Sequence, residues 1–153
     1  MTSSPQLPET ILSCRGQAAS PSEALWLAVR AAEYARGLST PNPPVGATIL
    51  DAEGHVCGIG CTQPPGGPHA EIEALRMAGE AARGGTAIVT LEPCNSWGKT
   101  GPCSHALAEA GITVLHYVFA DTTLFGGGAQ YLTERGVTCI QGDDAQRAQV
   151  RLG

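Results

Sequence analysis

The sequence predicts an α/β fold, with one mixed sheet and helices on its faces. Three observations predict it. Apolar residues at helical spacing alternate along the chain with short apolar runs of strand length. Two of those runs follow each other directly around a tight turn. Glycine and proline fall between the periodic segments, as punctuation. A strand pair followed by alternating helices and strands implies a mixed sheet flanked by helices.

Each element has a local reason. Residues 1–19 are polar and proline-containing and are expected to form a flexible tail ahead of a single domain, 20–153. Ser20-Pro21-Ser22-Glu23 is a helix start: Ser20 caps, Pro21 suits the first turn, and Glu23 completes a capping box. Leu25, Ala28, Ala32 and Ala35 form its apolar stripe, and Gly37 stops it. STPNPPVG is a rigid loop, VGATILD a buried strand, and HVCGIGC its hairpin partner across Asp51-Ala52-Glu53-Gly54. After TQPPGGP, the segment HAEIEALRMAGEAAR reads as one helix ended by Gly84-Gly85. TAIVTL is a strand, residues 103–110 a short helix, ITVLHYVF a strand, 129–135 a short helix and VTCI a last strand before a polar tail.

Composition narrows the function. A chain of 153 residues suits one domain and buries roughly 70% of its unfolded surface. The net charge of −5 and pI near 5.2 argue against duplex or tRNA binding, which rests on phosphate neutralisation. One or two aimed cations would still suffice for a small anionic ligand. No apolar run approaches the ~20 residues of a membrane span, so no membrane partner is expected. The N-terminus lacks the basic start and apolar stretch of a signal peptide, which suggests a cytoplasmic protein. Six cysteines would permit three disulfides, but a domain this long needs no staples, and thiols free for metal binding are the expectation.

Two polar motifs stand at strand–loop–helix junctions. Pro68-His69-Ala70-Glu71 opens one helix, while Pro93-Cys94 follows a strand and Pro102-Cys103 opens the next helix. Each candidate ligand directly follows a proline, whose fixed φ keeps the chain rigid where a ligand must be aimed. His69, Cys94 and Cys103 are donors that suit Zn²⁺, and helix amino ends favour thiolate over thiol. Three protein ligands leave a tetrahedral position open for water, the catalytic arrangement. Glu71 can join them only if the metal lies over the helix's amino end, because positions i and i+2 do not share a helix side. It would then carry a proton between water and leaving amine. Taken singly, each residue has a plain alternative: a cap, a dipole complement, a small core thiol. A four-ligand structural site would need His105 or Cys61. His55, Cys57 and Cys61 alternate with Ile59 and read as packing, and His116 reads as a structural strand residue.

These residues resemble the zinc-dependent nucleobase deaminases, whose signature is H-x-E followed by P-C-x-x-C. Here eight residues, not two, separate Cys94 from Cys103. The longer interval is similar to the deaminase domain of the riboflavin-biosynthesis family RibD. The matching stretches are NPPVG at 42–46, GIG at 58–60, HAE at 69–71 and TLEPCNSWGKTGPC at 90–103, within a likeness spanning 22–142. The resemblance implies a cytidine-deaminase-like fold with a five-stranded sheet and self-association. It implies zinc on His69, Cys94 and Cys103, with Glu71 as proton shuttle. It implies deamination of a diaminopyrimidinone ribotide, with Asn42 on the pyrimidine edge and Lys99, the sole lysine, on the phosphate. Ser96 stands where the family usually has histidine, Thr62 where it often does, though some relatives share the threonine, and Asp121-Thr122-Thr123 where it has D-P-N. These positions, Asp121 included, belong to the implied substrate shell. The family's C-terminal reductase domain is not within these 153 residues; if they are the whole protein, deamination alone is expected, with another enzyme reducing the ribose. The departures motivate two alternatives: another small aminopyrimidine, purine base or nucleoside as substrate, or a non-catalytic zinc-bound module.

Overall fold

The computed structural model describes residues 6–97 and 101–150. The helices are α1 (Glu9–Leu12), α2 (Pro21–Ala35), α3 (Ala70–Ala78), α4 (Cys103–Glu109), α5 (Gly128–Thr133) and α6 (Asp144–Gln149). The strands are β1 (Gly46–Leu50), β2 (Val56–Cys61), β3 (Thr86–Leu91), β4 (Val114–Phe119) and β5 (Thr138–Gln141). They form one sheet in the order β2-β1-β3-β4-β5. β1 runs antiparallel to both neighbours, and β3, β4 and β5 are parallel. The mixed five-stranded sheet expected from the sequence is therefore present.

Strand alternation divides the core in two. Ala47, Ile49, Ala87, Val89 and Leu115 meet Ala70 and Ala74 of α3, Leu107 of α4 and Leu132 of α5. Leu50, Val56, Ile59, Ile88 and Val118 meet α2, Ile11 of α1 and Val150 after α6. The result is three layers. The capping box opens α2 as expected: Glu23 N–H donates to Ser20 Oγ at 3.2 Å, and Ser20 N–H to Glu23 Oε1 at 3.0 Å. No helix is long and apolar enough to cross a membrane among the described residues.

Four sequence expectations need correction. Residues 6–19 are packed rather than loose: Ile11 is buried, and Gly16 N–H and Gln17 C=O bond to the backbone of Val56. A four-residue helix, Glu9–Leu12, is too short to show periodicity, so it carries no signal of its own. The helix at 70–83 is interrupted, because Gly79 has φ +58° and the chain continues as a 3₁₀ turn, Gly79–Ala82. The polar tail carries α6, opened by an Asp143–Gln146 capping box. Cys57 does not share a face with Ile59 and Cys61. The register slips between Ile49 and Leu50, leaving Cys57 as a bulge that packs toward the α3 layer.

α3 lies unusually close to β2. A β-carbon at Gly58 would sit 2.1 Å from Ala74 O, and one at Gly60 would sit 2.3 Å from Ala70 O. Those neighbours are helix backbone and cannot swing aside. Gly60→Ala is expected to destabilise the fold by about 1–3 kcal/mol, the range for overpacking. A urea titration would show this as a lower midpoint with an unchanged slope. An unchanged midpoint would mean that α3 shifts freely on the sheet.

Candidate metal centre

The start of β1 and the ends of β2, β3 and β4 lie at one end of the sheet, and the polar motifs leave from there. His69 is the N-cap of α3, with extended backbone at φ −74° and ψ 165°. Glu71 is two residues on, in the first helical turn, and only 4% exposed. Cys103 is the first residue of α4, after Pro102, and is also buried. Cys94 follows the end of β3 and is pulled over the start of α4: Cys103 N–H donates to Cys94 Sγ at 3.3 Å, and Ser104 N–H to Cys94 C=O at 3.1 Å.

These placements bring three donors together. His69 Nδ1 lies 3.3 Å from Cys103 Sγ and 3.8 Å from Cys94 Sγ, and all three donor atoms lie within 4.8 Å of one another. Tetrahedral zinc, with bonds of about 2.05 Å to nitrogen and 2.3 Å to sulfur, requires N···S separations of about 3.5 Å. The set fits zinc without rearrangement of the backbone. The buried Cys103 closes one side, while the exposed His69 leaves the other open.

The electrostatics agree with a cation site. The hydrogen bond from the Cys103 thiol, helped by His69 and the Cys103 N–H, holds the Cys94 thiol down at about 4 against the effect of burial. Cys103 is pushed upward, by its bond to Cys94 and by burial. Both sulfurs bind a metal as thiolates, so metal binding releases protons. The hydrogen bond to Cys94 raises His69, with burial opposing. Burial raises Glu71 to about 7, and its side-chain bond from Cys103 works the other way. Cys103 Sγ thus sits against His69 Nδ1. His69 and the two cysteines converge at the amino end of α3, and Glu71 is buried in the first turn of the same helix.

The other expected residues are placed less uniformly. Asn42 is exposed, and its side chain makes no hydrogen bond among the described residues. Ser96 Oγ is buried without a partner among the described residues. Asp121 Oδ1 accepts from Thr123 N–H at 2.9 Å and Thr123 Oγ1 at 2.6 Å, which stiffens its own loop. Thr62 Oγ1 is engaged by the Val45 backbone. Lys99 lies outside the described residues. His105 and Cys61 do not join the donors. His105 stacks on Tyr131 at 3.9 Å, and Cys61 packs in the α2 layer, where burial raises its thiol to about 11. His116 lies on β4 against the α2 and α6 side, in a narrow cleft with Ile88 and Ile140. The groove between α3 and α4, lined by Ile72, Leu75, Arg76 and Glu109, contains none of the donors.

One supporting residue was not legible in the sequence. Glu92 is buried, and its Oε1 accepts from Asp121 N–H at 2.9 Å while Oε2 accepts from Ala129 N–H at 2.8 Å. It ties the segment entering Cys94 to the Asp121 loop and to α5. The available signal was weak: an acidic residue closing an apolar strand, directly before Pro-Cys.

Comparison with known proteins matches this geometry to a family. The cytidine and deoxycytidylate deaminase zinc-binding region matches residues 19–119, which contain His69, Glu71, Cys94 and Cys103. The riboflavin biosynthesis protein RibD of Corynebacterium ammoniagenes is 47% identical over 120 residues, 78% of this chain and 36% of that protein. A diaminohydroxyphosphoribosylamino-pyrimidine deaminase of Buchnera aphidicola is 45% identical over 105 residues, 67% of this chain and 70% of that protein. The solved structure of Acinetobacter baumannii RibD superposes with a TM-score of 0.76 at 37% identity, over 85% of this chain and 37% of that one. The chain therefore spans about a third of the length of the RibD proteins it matches. With the mixed sheet and the His-Cys-Cys donor set in place, the chain belongs to the cytidine and deoxycytidylate deaminase zinc-binding family.

Proposed function

We propose that this chain is a hydrolytic deaminase of 2,5-diamino-6-ribosylamino-4(3H)-pyrimidinone 5′-phosphate, acting in riboflavin biosynthesis. One observation carries the proposal: Glu71 is buried beside three converged zinc donors, within a chain 45% identical to a deaminase named for this substrate class. When bound, zinc supplies a Lewis acid that makes water nucleophilic near neutral pH. His69, Cys94 and Cys103 hold it. Glu71 takes a proton from the attacking water and delivers it to the exocyclic amine. The water oxygen bonds to the ring carbon, the carbon–nitrogen bond breaks and ammonia leaves. Asn42 meets the pyrimidine edge, Lys99 the phosphate, and Ser96 and Asp121 line the pocket.

The partner is a small pyrimidine ribotide rather than nucleic acid, in keeping with the net charge of −5. All six cysteines are unpaired, which suits the reducing cytoplasm. Self-association completes the proposal, as implied by the family resemblance.

Ammonia release from the ribotide by the zinc-loaded protein is the test. Saturable release is expected, with KM raised at least tenfold on removal of the phosphate or in Lys99→Ala, since an aimed cation on a phosphate makes a charge-assisted contact. Equal turnover of the dephosphorylated compound would instead favour another aminopyrimidine substrate. The alternative has some support in Thr62, whose hydroxyl is committed to the backbone. No release from any aminopyrimidine would overturn the enzymatic proposal.

A further inference from the structure

Strand β1 begins with two hydrogen bonds that its neighbours' carbonyls do not supply. The ladder pairs Gly46 with Cys61 on one side and Ala47 with Val89 on the other. One step beyond, Val45 faces Thr62, and Gly46 faces Thr90. There, side-chain hydroxyls take the acceptor's place. Val45 N–H donates to Thr62 Oγ1 at 3.0 Å, and Gly46 N–H to Thr90 Oγ1 at 3.2 Å. Thr62 N–H donates back to Val45 C=O at 2.9 Å, and its hydroxyl lies 3.3 Å from the same oxygen. Both threonines are buried. Two strands thus grip consecutive N–H groups at the point where the chain enters the sheet.

Upstream of this grip the chain is stiff. Pro43 and Pro44 fix φ and carry no N–H. At the far end, Asn42 N–H donates to Ser39 C=O at 2.7 Å, and the buried Ser39 Oγ donates to Asn42 C=O at 2.9 Å. The Asn42 backbone is therefore held from both sides, while its amide side chain projects to solvent. The grip lies at the sheet end from which the His69 and Cys94 segments also leave.

We infer that Thr62 and Thr90 form a clasp that aims Asn42 at the substrate, and that Thr62 is a positioning residue acting through Val45 rather than a substrate contact. The inference rests on the proposed role of Asn42. A buried N–H left without its acceptor is costly, so the segment moves when the hydroxyl is lost. Thr62→Val keeps the shape and removes only the hydroxyl.

The test has a structural and a kinetic arm, both on the zinc-loaded protein. By amide hydrogen exchange, Thr62→Val is expected to lose protection at Val45 and keep it at Ile49. In ammonia-release kinetics, Thr62→Val is expected to raise KM about tenfold with kcat nearly unchanged, and Thr62→Ser to restore KM, since one hydrogen bond's worth of order is at stake. In an Asn42→Ala background, Thr62→Val is expected to add nothing. Additive effects would mean that Thr62 touches the substrate itself, and unchanged protection at Val45 would mean that there is no clasp. Either result overturns the inference. So does Asn42→Ala with wild-type KM. If wild-type protein does not turn over the ribotide, the proposed function fails, and the clasp is then decided by exchange at Val45 alone. Should Thr62→Val unfold, Thr90→Val carries the same expectation, with protection lost at Gly46.

Discussion

Glu71→Gln is expected to lower turnover by about 10²–10⁴-fold, the usual worth of a positioned proton carrier, while zinc stays bound at one per chain. Glutamine has the same shape and occupies the same first turn of α3. It cannot take or give a proton. Burial already disfavours the charge on Glu71, so a neutral isostere is expected to keep the fold intact. The measurement combines ammonia release, zinc content and a thermal melt. Lost turnover with zinc and melting temperature retained assigns the proton transfer to Glu71. Turnover within a few-fold of wild type would remove Glu71 from the chemistry.

Cys103→Ala is expected to abolish stoichiometric zinc binding and to make the protein's melting temperature insensitive to chelators. The residue joins three segments: its sulfur meets His69 at the start of α3, its N–H meets Cys94 after β3, and it opens α4. A ligand that binds only the folded state stabilises it by about 4 kcal/mol when free ligand is about 1,000 times its Kd. For a domain of this size that corresponds to roughly 8–16 °C of melting temperature. Wild-type protein is therefore expected to lose about that much on adding a strong chelator, and Cys103→Ala to lose none. A variant that still binds one zinc per chain would mean that another residue completes the site.

The chemistry was more legible than the packing around it. H-A-E before an apolar helical stripe, and two Pro-Cys pairs, name residue types and place them at helix starts. Helix starts are written locally, in caps and prolines, as at Ser20–Glu23 and Pro102–Cys103. Glu92 and Thr90 had no such signal. Each lies at or next to the end of an apolar strand, and its role depends on N–H groups from segments 29 to 44 residues distant. Thr62 is similar. Its hydroxyl could have faced a ligand, and only the pairing of β1 with β2 turns it toward Val45. The bulge at Cys57 is a product of strand register, and the burial of Ile11 of packing against a distant layer, neither of which a single segment contains.

The sequence by itself determined the order of the five strands and of helices α2 to α5, the caps and prolines at which those helices begin, and the donor set of one histidine and two cysteines. These are local facts, governed by side-chain spacing, capping and the chemistry of each residue type. Only the tertiary structure decided which distant groups meet. It brought Cys103 to 3.3 Å from His69, buried Glu71 until its charge is disfavoured, and gave the Thr62 hydroxyl to the backbone. The reason is physical: hydrogen bonding and desolvation act between atoms within a few ångströms, and strand pairing and helix packing, not sequence separation, set those distances.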